Sequence, residues 1–418
     1  MHLKNLRLRN FRCYEDLSIE FDPLFNVIVG VNGTGKTAIL EALRIAIGSL
    51  FLSVDKYKDK ISSPGINQDD VRLSNLEQQY PVFINTQGEI MEFGNISLFN
   101  TISWERSLET KGGTTRYINA KAIKDASKLM QEKIREGNCD TIIPLVAYYS
   151  TDRFKKEKRD VGVEPDGSRL RGYYNALDSS TNIKFFLDLY YTESLYELQN
   201  SIKSSMLIAV NESVKKCIDN CDNLSFDIKR QELLIRFKDS NEQLPFHLLS
   251  DGVRSMLAMV MEIAFRCHLL NPCLGENAAM ESPGIVLIDE IDLHLHPAWQ
   301  KKVVKSLMLA FPKIQFIVST HAPLIIGSLR EGKIFSISEN KAWDFPLQYG
   351  RDANFIINEM GTSEMDDMLK LKLRKYFDLI EKGNGKTDEA LSLRNELDIE
   401  LGINHTDMQR ADMMLSFF

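Results

Sequence analysis

The fold is decided by residues 30–37, Gly30-Val31-Asn32-Gly33-Thr34-Gly35-Lys36-Thr37, a full match to the pattern G-x-x-x-x-G-K-[ST]. The apolar run from Phe25 to Val29 precedes this stretch and is typical of a strand buried on both faces. An amphipathic segment from about Thr37 to Leu50 follows and predicts a helix. A buried strand, a glycine-rich turn and a helix are the context in which this motif binds phosphate. The sequence therefore predicts a P-loop.

The residue types of this loop indicate nucleotide binding. Its glycines let backbone N–H groups and the helix N-terminus face an anion. The Lys36 ammonium would reach the β- and γ-phosphates, and the Thr37 hydroxyl would ligate Mg²⁺. We expect ATP with Mg²⁺ to be bound by Asn32, Gly33, Thr34, Gly35, Lys36 and Thr37.

A second apolar run, Ile285 to Ile288, ends in two carboxylates. Asp289, at the predicted strand tip, suits Mg²⁺ ligation, directly or through water. Its neighbour Glu290 would orient and deprotonate the attacking water as the catalytic base. A solvated strand end is the simple alternative, but the P-loop upstream favours the catalytic interpretation.

Two further segments follow the order of an ABC ATPase. Residues Leu249-Ser250-Asp251-Gly252 open a predicted helix that runs to about Leu270, at the place of the Leu-Ser-Gly-Gly-Gln signature. Ser250 is predicted to cap this helix and, with Asp251 and Gly252, to present donors to a γ-phosphate. The strand Phe316 to Thr320 ends at His321, where a γ-phosphate sensor is expected. Taken alone, the first segment has an ordinary N-cap turn as its alternative. The second has a structural histidine.

Composition limits the remaining classes. The 418 residues are 44% hydrophobic and 26% charged, with a net charge of −7, which is typical of a folded protein. No run approaches the roughly 18 apolar residues of a membrane helix, and the first residues lack an apolar signal core. We expect a cytoplasmic protein with no membrane partner. Six cysteines without Cys-x-x-Cys spacing favour reduced thiols.

The order of elements predicts an α/β protein with a P-loop ATPase head of the ABC type. Residues 1–150 and 241–345 would form a split head, with a central, mostly parallel sheet, a peripheral antiparallel sheet and a helical lobe. Residues 151–240 would form an inserted helical arm and a hairpin. Residues 346–418 would form a C-terminal helical tail, which carries twelve acidic and eight basic residues from Thr362 onward. Its apolar stripes must cover the head or a protein partner.

Several segments resemble the RecF/SMC/OLD group of ABC ATPases, namely Leu6 to Arg12, Asn26 to Gly30 and Ala38 to Leu43. Within that group, the chain is similar to the PtuA ATPases of Septu-type antiphage systems and their retron-associated relatives, through residues 249–252, 288–300 and 311–323. The resemblance implies a homodimer or higher homo-oligomer in which the signature residues act in trans. It also implies a nucleotide contact by Arg12 and a separate HNH-type nuclease partner.

Other features set limits on this resemblance. Ile291-Asp292 stands where a transporter subunit has Pro-Thr-Ser, and Asp251 replaces the usual signature glycine. The Q-loop residue stays open between Gln68, Gln87 and the turn at 149–153. The residues after His321 lack the acidic array of a Toprim nuclease, so we expect no nuclease activity in cis.

The densest basic stretch, residues 153–159 with 169–171, is either a solvated loop or a phosphate-backbone contact. Nucleic acid is therefore a possible partner, through a local patch. The favoured function is that of an ATP-hydrolysing dimeric subunit of an antiphage defence complex, sensing or gating a partner nuclease. The alternative is a RecF/SMC-like DNA repair ATPase.

Overall fold

The computed structural model describes residues 1–54, 61–91, 99–138, 141–151, 168–178, 183–239, 242–360, 367–381, 383–402 and 406–417. The chain divides into two compact units, Met1–Ile356 and Ile357–Phe418. The expected α/β architecture is confirmed, with a central mostly parallel sheet, a peripheral antiparallel sheet and helices. None of the described helices is both long and apolar enough to cross a membrane.

The strands and helices are numbered in chain order. Up to residue 217 they are β1 (His2–Phe11), β2 (Tyr14–Glu20), β3 (Phe25–Val29), α1 (Lys36–Ile47), β4 (Leu73–Ser74), β5 (Glu77–Gln78), β6 (Val82–Met91), β7 (Phe99–Leu108), α2 (Lys121–Arg135), β8 (Leu145–Tyr149), α3 (Ile183–Asn200) and α4 (Ser205–Cys217). The rest of the first unit contains β9 (Cys221–Asp227), β10 (Glu232–Phe237), β11 (Gln243–Pro245), α5 (Asp251–Leu270), α6 (Ala278–Glu281), β12 (Gly284–Ile288), α7 (Pro297–Gln300), α8 (Val303–Ala310), β13 (Ile314–Thr320), α9 (Pro323–Ile326), β14 (Lys333–Ser338) and β15 (Lys341–Phe345). Helix α10 (Ala353–Glu359) spans the unit boundary, and the second unit adds α11 (Asp367–Glu381), α12 (Asp388–Leu401) and α13 (Thr406–Phe417).

The central sheet has the strand order β15-β14-β3-β13-β12-β8, and every pair except β14–β15 is parallel. All residues of β3, β8, β12 and β13 are buried, which explains their continuous apolar runs. In register, Thr320 lies opposite Val29, and Ile288 lies opposite both Val318 and Tyr149. The segments that follow these strands therefore meet at one edge of the sheet.

The peripheral sheet, of order β2-β1-β6-β7, is antiparallel and covers α1. Leu6 and Leu8 are buried, while Arg7 and Arg9 of the same strand are more exposed, as the alternating pattern predicts. The indole N–H of Trp104 on β7 donates to the carbonyl oxygen of Ala46, at 2.9 Å. This contact fixes the sheet against the helix that follows the P-loop.

Helix α5 is buried along most of its length and carries a buried ion pair. Arg266 and Glu262 are 2.7 Å apart, with side chains 1% and 6% exposed. The Arg266 guanidinium also donates to the carbonyl oxygens of Gly172 and Tyr174, at 2.7 and 3.0 Å. A buried charge is tolerated when it is paired and fully hydrogen-bonded, so this network joins α5 to the 168–178 segment.

Arg169, a candidate for phosphate contact, binds the protein's own main chain. Its guanidinium donates to the carbonyl oxygens of Leu270 at 2.7 Å, Thr141 at 2.5 Å and Asn138 at 3.2 Å. These bonds assign Arg169 a structural role. Residues 153–159 of the same basic stretch lie outside the described residues.

The second unit has its own core. Its fully buried side chains are Tyr376, Ile380, Ala390, Leu397, Met408 and Ala411. The Thr387 hydroxyl accepts from the N–H of Ala390 as the N-cap of α12, and Gly402, with φ of 86°, ends that helix. The apolar stripes of the three helices therefore pack on one another, and the expectation that they must cover the head or a protein partner is wrong.

Because each unit has its own core, a chain ending at Met360, just after α10, should bind ATP with unchanged affinity. In the full chain, Tyr376→Ala should destabilise the second unit by about 3 kcal/mol or more and leave ATP affinity unchanged. Calorimetric melting and a nucleotide-binding titration measure both effects. A truncated chain that no longer binds ATP would contradict the independence of the two cores.

Candidate nucleotide-binding and hydrolysis site

The P-loop is pressed against the turn between β1 and β2. Gly33 and Gly35 have φ of 84° and 98°, in the left-handed region that favours glycine. A Cβ added to Gly35 would lie 2.5 Å from the Cys13 Sγ and 2.6 Å from the Tyr14 Oη. The Tyr14 hydroxyl donates to the carbonyl oxygen of Thr34 at 3.3 Å. Glycine at position 35 is therefore required by both its backbone angle and its contacts.

Lys36 begins α1 and folds back over the loop that precedes it. Its ammonium donates to the carbonyl oxygens of Gly30 at 2.9 Å and Val31 at 3.0 Å, and the residue is 6% exposed. Burial lowers the pKa of Lys36, and the carboxylates of Asp289 and Glu290 oppose that shift. A buried cation at the start of a helix is suited to bind an anion at the same place.

The carboxylate of Asp289 joins the P-loop helix to two strand ends. It is 2% exposed, and the Thr37 hydroxyl donates to its Oδ2 at 2.9 Å. The Ser319 hydroxyl donates to its Oδ1 at 2.5 Å, and the same Ser319 oxygen accepts from the N–H of Glu290 at 2.8 Å. Thr37 and Asp289 thus place a hydroxyl and a carboxylate oxygen side by side. Mg²⁺ prefers such oxygen ligands, so the residues present fit this cation.

Glu290 occupies an uncommon backbone conformation. Its φ is 49°, in the left-handed region, where a non-glycine residue is uncommon and its strain is typical of functional sites. The N–H of Ile291 donates to the carbonyl oxygen of Ser319 at 3.0 Å and holds the turn against β13. The Thr320 hydroxyl donates to the Asp292 carboxylate at 2.5 Å. Strands β12 and β13 thereby fix the carboxylate-bearing turn after Asp289.

His321 directly follows β13, at the same edge of the sheet. Burial lowers the pKa of His321, and the Lys36 cation lowers it further, while Asp292 and Glu290 act in the opposite direction. The imidazole is therefore mostly neutral at pH 7. A neutral imidazole has one N–H donor and one acceptor nitrogen, so it can donate to a phosphate oxygen.

The signature turn differs from its prediction in one respect. Ser250 lies at the N-cap position of α5 with an extended backbone, but its side chain makes no capping hydrogen bond, so the predicted cap is wrong. Ser250 and Asp251 are both exposed, and water can satisfy their polar groups in place of an intrahelical partner. Arg254 of the first turn binds the Asp251 carboxylate at 2.5 Å.

Gly252 brings the signature turn into backbone contact with the loop that follows Glu290. A Cβ added to Gly252 would collide with the carbonyl oxygen of His294. His294 itself has φ of 62°, again in the left-handed region. The signature turn and the loop that follows Glu290 are thus in direct contact within one chain.

Arg12, the remaining predicted nucleotide contact, is held at the β1–β2 turn by a buried acid. Its guanidinium lies 2.8 Å from the Asp70 carboxylate, which is 5% exposed. Its main-chain N–H donates to the carbonyl oxygen of Asp70 at 2.7 Å. Arg12 directly precedes Cys13 and Tyr14, the residues that touch the P-loop, so it lies beside the loop.

The three Q-loop candidates lie in different places in the fold. Tyr149 ends β8, and its carbonyl oxygen accepts from the N–H of Asp289 at 2.8 Å. Gln68 instead accepts a hydrogen bond from Tyr80, and Gln87 pairs with Asn5 on the peripheral sheet. The turn after Tyr149 therefore begins beside Asp289, and its residues 152 and 153 lie outside the described residues. Gln68 lies two residues before Asp70, the partner of Arg12, so the Q-loop residue stays open between these two places.

Sequence reasoning missed Ser319 and Thr320, which hold Asp289 and Asp292. The available signal was two hydroxyl residues at the carboxyl end of a buried β-branched strand, directly before His321.

Among the described residues, no group of three or more His, Cys, Asp or Glu is arranged to hold a metal ion.

The fold and the site define a P-loop ATPase with the segment order of the RecF/SMC/OLD group. The chain belongs to the AAA domain family, whose model matches residues 5–244; a second model, described as an AAA ATPase domain, matches residues 175–326.

Three relatives and one solved structure illustrate the similarity. The Retron Vc95 probable ATPase of Vibrio cholerae serotype O1 biovar El Tor is 26% identical over 454 residues, covering 92% of this chain and 84% of that protein. The Septu protein PtuA of Bacillus thuringiensis is 26% identical, covering 80% and 75%. The OLD nuclease of Thermus scotoductus is 24% identical, covering 95% and 75%. A crystal structure of an Smc head bound to the C-winged helix domain of ScpA superposes with a TM-score of 0.50 at 17% identity, covering 83% of this chain and 98% of that chain.

These findings confirm the resemblance to the RecF/SMC/OLD group and to PtuA, and the likeness to the Smc head shows the fold alone. The protein is an ATPase related to antiphage defence ATPases. Its family uses ATP with a divalent metal ion.

Ser319→Ala should raise the Mg²⁺ concentration needed for ATP turnover and slow turnover by about tenfold to a hundredfold. The reason is that Asp289 loses one of its two hydroxyl donors and the Glu290 N–H loses its acceptor. Steady-state turnover over a Mg²⁺ series measures the effect, with Ser225→Ala on β9 as the matched control. The same Mg²⁺ dependence in Ser319→Ala and wild type would contradict this role.

Proposed function

We propose that this chain binds and hydrolyses ATP with Mg²⁺ at the edge where β3, β12 and β13 end. The observation that carries the proposal is the hydrogen-bonded cluster of Thr37, Asp289 and Ser319, which joins the P-loop to both of the other strand ends. Thr37 and Asp289 would hold Mg²⁺, which neutralises phosphate charge when bound.

The remaining residues divide between binding and hydrolysis. The loop N–H groups of Asn32, Gly33, Thr34 and Gly35 and the Lys36 ammonium bind phosphate oxygens, with Arg12 alongside. Glu290 orients the attacking water and accepts its proton, and the neutral His321 donates to the γ-phosphate. The left-handed backbone of Glu290 supports its role, because the Ser319 bond fixes the main chain from which its carboxylate extends.

Glu290→Gln should keep ATP affinity and reduce turnover by about a hundredfold or more, because the amide still orients water but cannot accept a proton. Lys36→Ala should weaken ATP binding itself. Equilibrium binding and single-turnover hydrolysis separate the two effects, with the exposed Glu276→Gln as control. Equal turnover by Glu290→Gln and wild type would remove Glu290 from the mechanism.

We further infer a homodimer, or a higher oligomer built from dimers, in which Ser250, Asp251 and Gly252 act in trans. Ser250 and Asp251 are exposed at the N-terminus of a 20-residue helix, whose dipole favours an anion. The backbone contact between Gly252 and His294 ties this turn to the loop after Glu290. One surface would therefore present both segments to a neighbouring subunit.

Mixing Lys36→Ala chains with Ser250→Arg chains should restore part of the turnover that each variant lacks. Each mixed dimer would contain one site with both an intact P-loop and an intact signature. Turnover at increasing mixing ratios, normalised to each parent alone, measures the rescue. Mixtures as inactive as both parents would contradict the trans arrangement.

We also propose that the ATPase controls a separate HNH-type nuclease in antiphage defence. The support is its similarity to proteins named Retron Vc95 probable ATPase and Septu protein PtuA. The similarity to a protein named OLD nuclease sets the competing case, a nuclease in cis. A RecF/SMC-like repair ATPase should show ATP turnover that DNA alone stimulates. This response separates the repair function from control of a nuclease.

Purified chain should leave plasmid DNA intact with Mg²⁺ or Mn²⁺, because we place the nuclease centre in the partner. Where an HNH-type nuclease is encoded beside it, adding that nuclease should give cleavage that changes with ATP, and Glu290→Gln should alter that dependence. Gel analysis of the DNA measures cleavage. Cutting by this chain alone would favour the nuclease in cis.

A further inference from the structure

A surface groove of about 670 Å³ lies in the first unit, between α8 and α9 and beside the segment that leads to α10. None of the residues assigned to the nucleotide site lines it. Its lining residues are Lys301, Val304, Lys305, Met308, Leu309, Pro323, Leu324, Gly327, Ser328, Arg330, Glu331, Tyr349, Gly350 and Arg351. The proposed ATP chemistry therefore leaves this groove without a function.

The groove combines an apolar floor with large exposed apolar side chains. Val304, Met308, Pro323 and Leu324 contribute apolar surface from the two helices. Leu309 is 53% exposed, and Tyr349 is 50% exposed. Exposed apolar surface of this kind, bordered by charged residues, is typical of a protein interaction site.

The rim of the groove is cationic. Lys301, Lys305, Arg330 and Arg351 face one acid, Glu331. Within the part of the chain that the structure describes, none of the four cations is paired with a carboxylate. Arg330 instead lies over the Tyr349 ring, 4.5 Å from its centroid. A local excess of three positive charges is notable in a chain whose net charge is −7.

We propose that this groove binds an amphipathic helix of another protein, with acidic residues on both sides of its apolar face. An apolar helix face in an apolar groove is a recurring mode of recognition, and the anchors then repeat at i, i+3, i+4 and i+7. Acidic flanks would pair with the four rim cations and set the orientation of the helix. A nucleic acid backbone would leave the apolar floor without a partner.

The groove is built from the segments that follow two parts of the nucleotide site. Pro323 and Leu324 come two and three residues after His321, and α8 follows the loop that contains His294. A bound helix would therefore contact segments that continue directly from the proposed catalytic turns. A dependence of helix binding on nucleotide rests on the proposed function. The binding of the helix to the groove does not.

The test uses the full-length chain without nucleotide and a fluorescein-labelled synthetic peptide of about 18 residues. Leucines occupy one helical face of the probe and glutamates both flanks; a second peptide has lysines in place of the glutamates. Binding is followed by fluorescence anisotropy. The groove variants are Lys301→Glu with Lys305→Glu, and Leu309→Glu. The matched controls are Lys229→Glu and the exposed Leu198→Glu, both far along the chain from the groove.

The acidic peptide should bind the wild type and both controls, and it should bind each groove variant about tenfold more weakly. Its binding to the wild type should weaken at higher salt. Unchanged thermal melting of the variants excludes misfolding as the cause. Equal binding of the acidic and lysine peptides, or unchanged binding by the groove variants, would overturn the proposal. Competition by duplex DNA would assign the groove to nucleic acid instead. Loss of self-association in the groove variants, measured by sedimentation, would assign it to a second copy of this chain.

Discussion

The structure of the site depends on one buried carboxylate. Asp289 is 2% exposed, and burying an ionised carboxylate without partners would cost several kcal/mol. Two hydroxyl donors offset that cost, Thr37 from the P-loop helix and Ser319 from the neighbouring strand. Both donors are in reach because β3, β13 and β12 are parallel neighbours whose carboxyl ends coincide. The parallel order of the sheet and the chemistry of the site therefore have a common cause.

Much of this arrangement was predictable because its signals are local. The glycine positions of the P-loop, the apolar runs of buried strands and the 3.6-residue stripes of the three C-terminal helices reflect backbone geometry that a short window of sequence records. The carboxylates at 289 and 290 were identified because an apolar strand ends directly before them. The sequence did not reveal Ser319 as the partner of Asp289, since the pairing depends on which strands are neighbours in the sheet.

Two differences between the sequence pattern and the structure have the same physical origin. Ser250 has the residue type and the position of an N-cap, but its exposed side chain does not make the bond, because solvent competes for the hydroxyl. Arg169 belongs to a basic run in sequence, yet three carbonyl oxygens from separate segments bind its guanidinium. Charge and capping patterns record what a side chain can do. Tertiary contacts decide which of those interactions it makes.

The contact between Gly252 and His294 holds the signature turn against the loop that follows Glu290 within one chain. Only four residues separate Asp289 from His294, and both lie in the turn that follows β12. A Cβ on residue 252 would collide with the carbonyl oxygen of His294, so glycine at this position is what lets the signature turn lie against that loop. The exposed signature turn therefore packs against the same loop that begins at the proposed metal ligand Asp289.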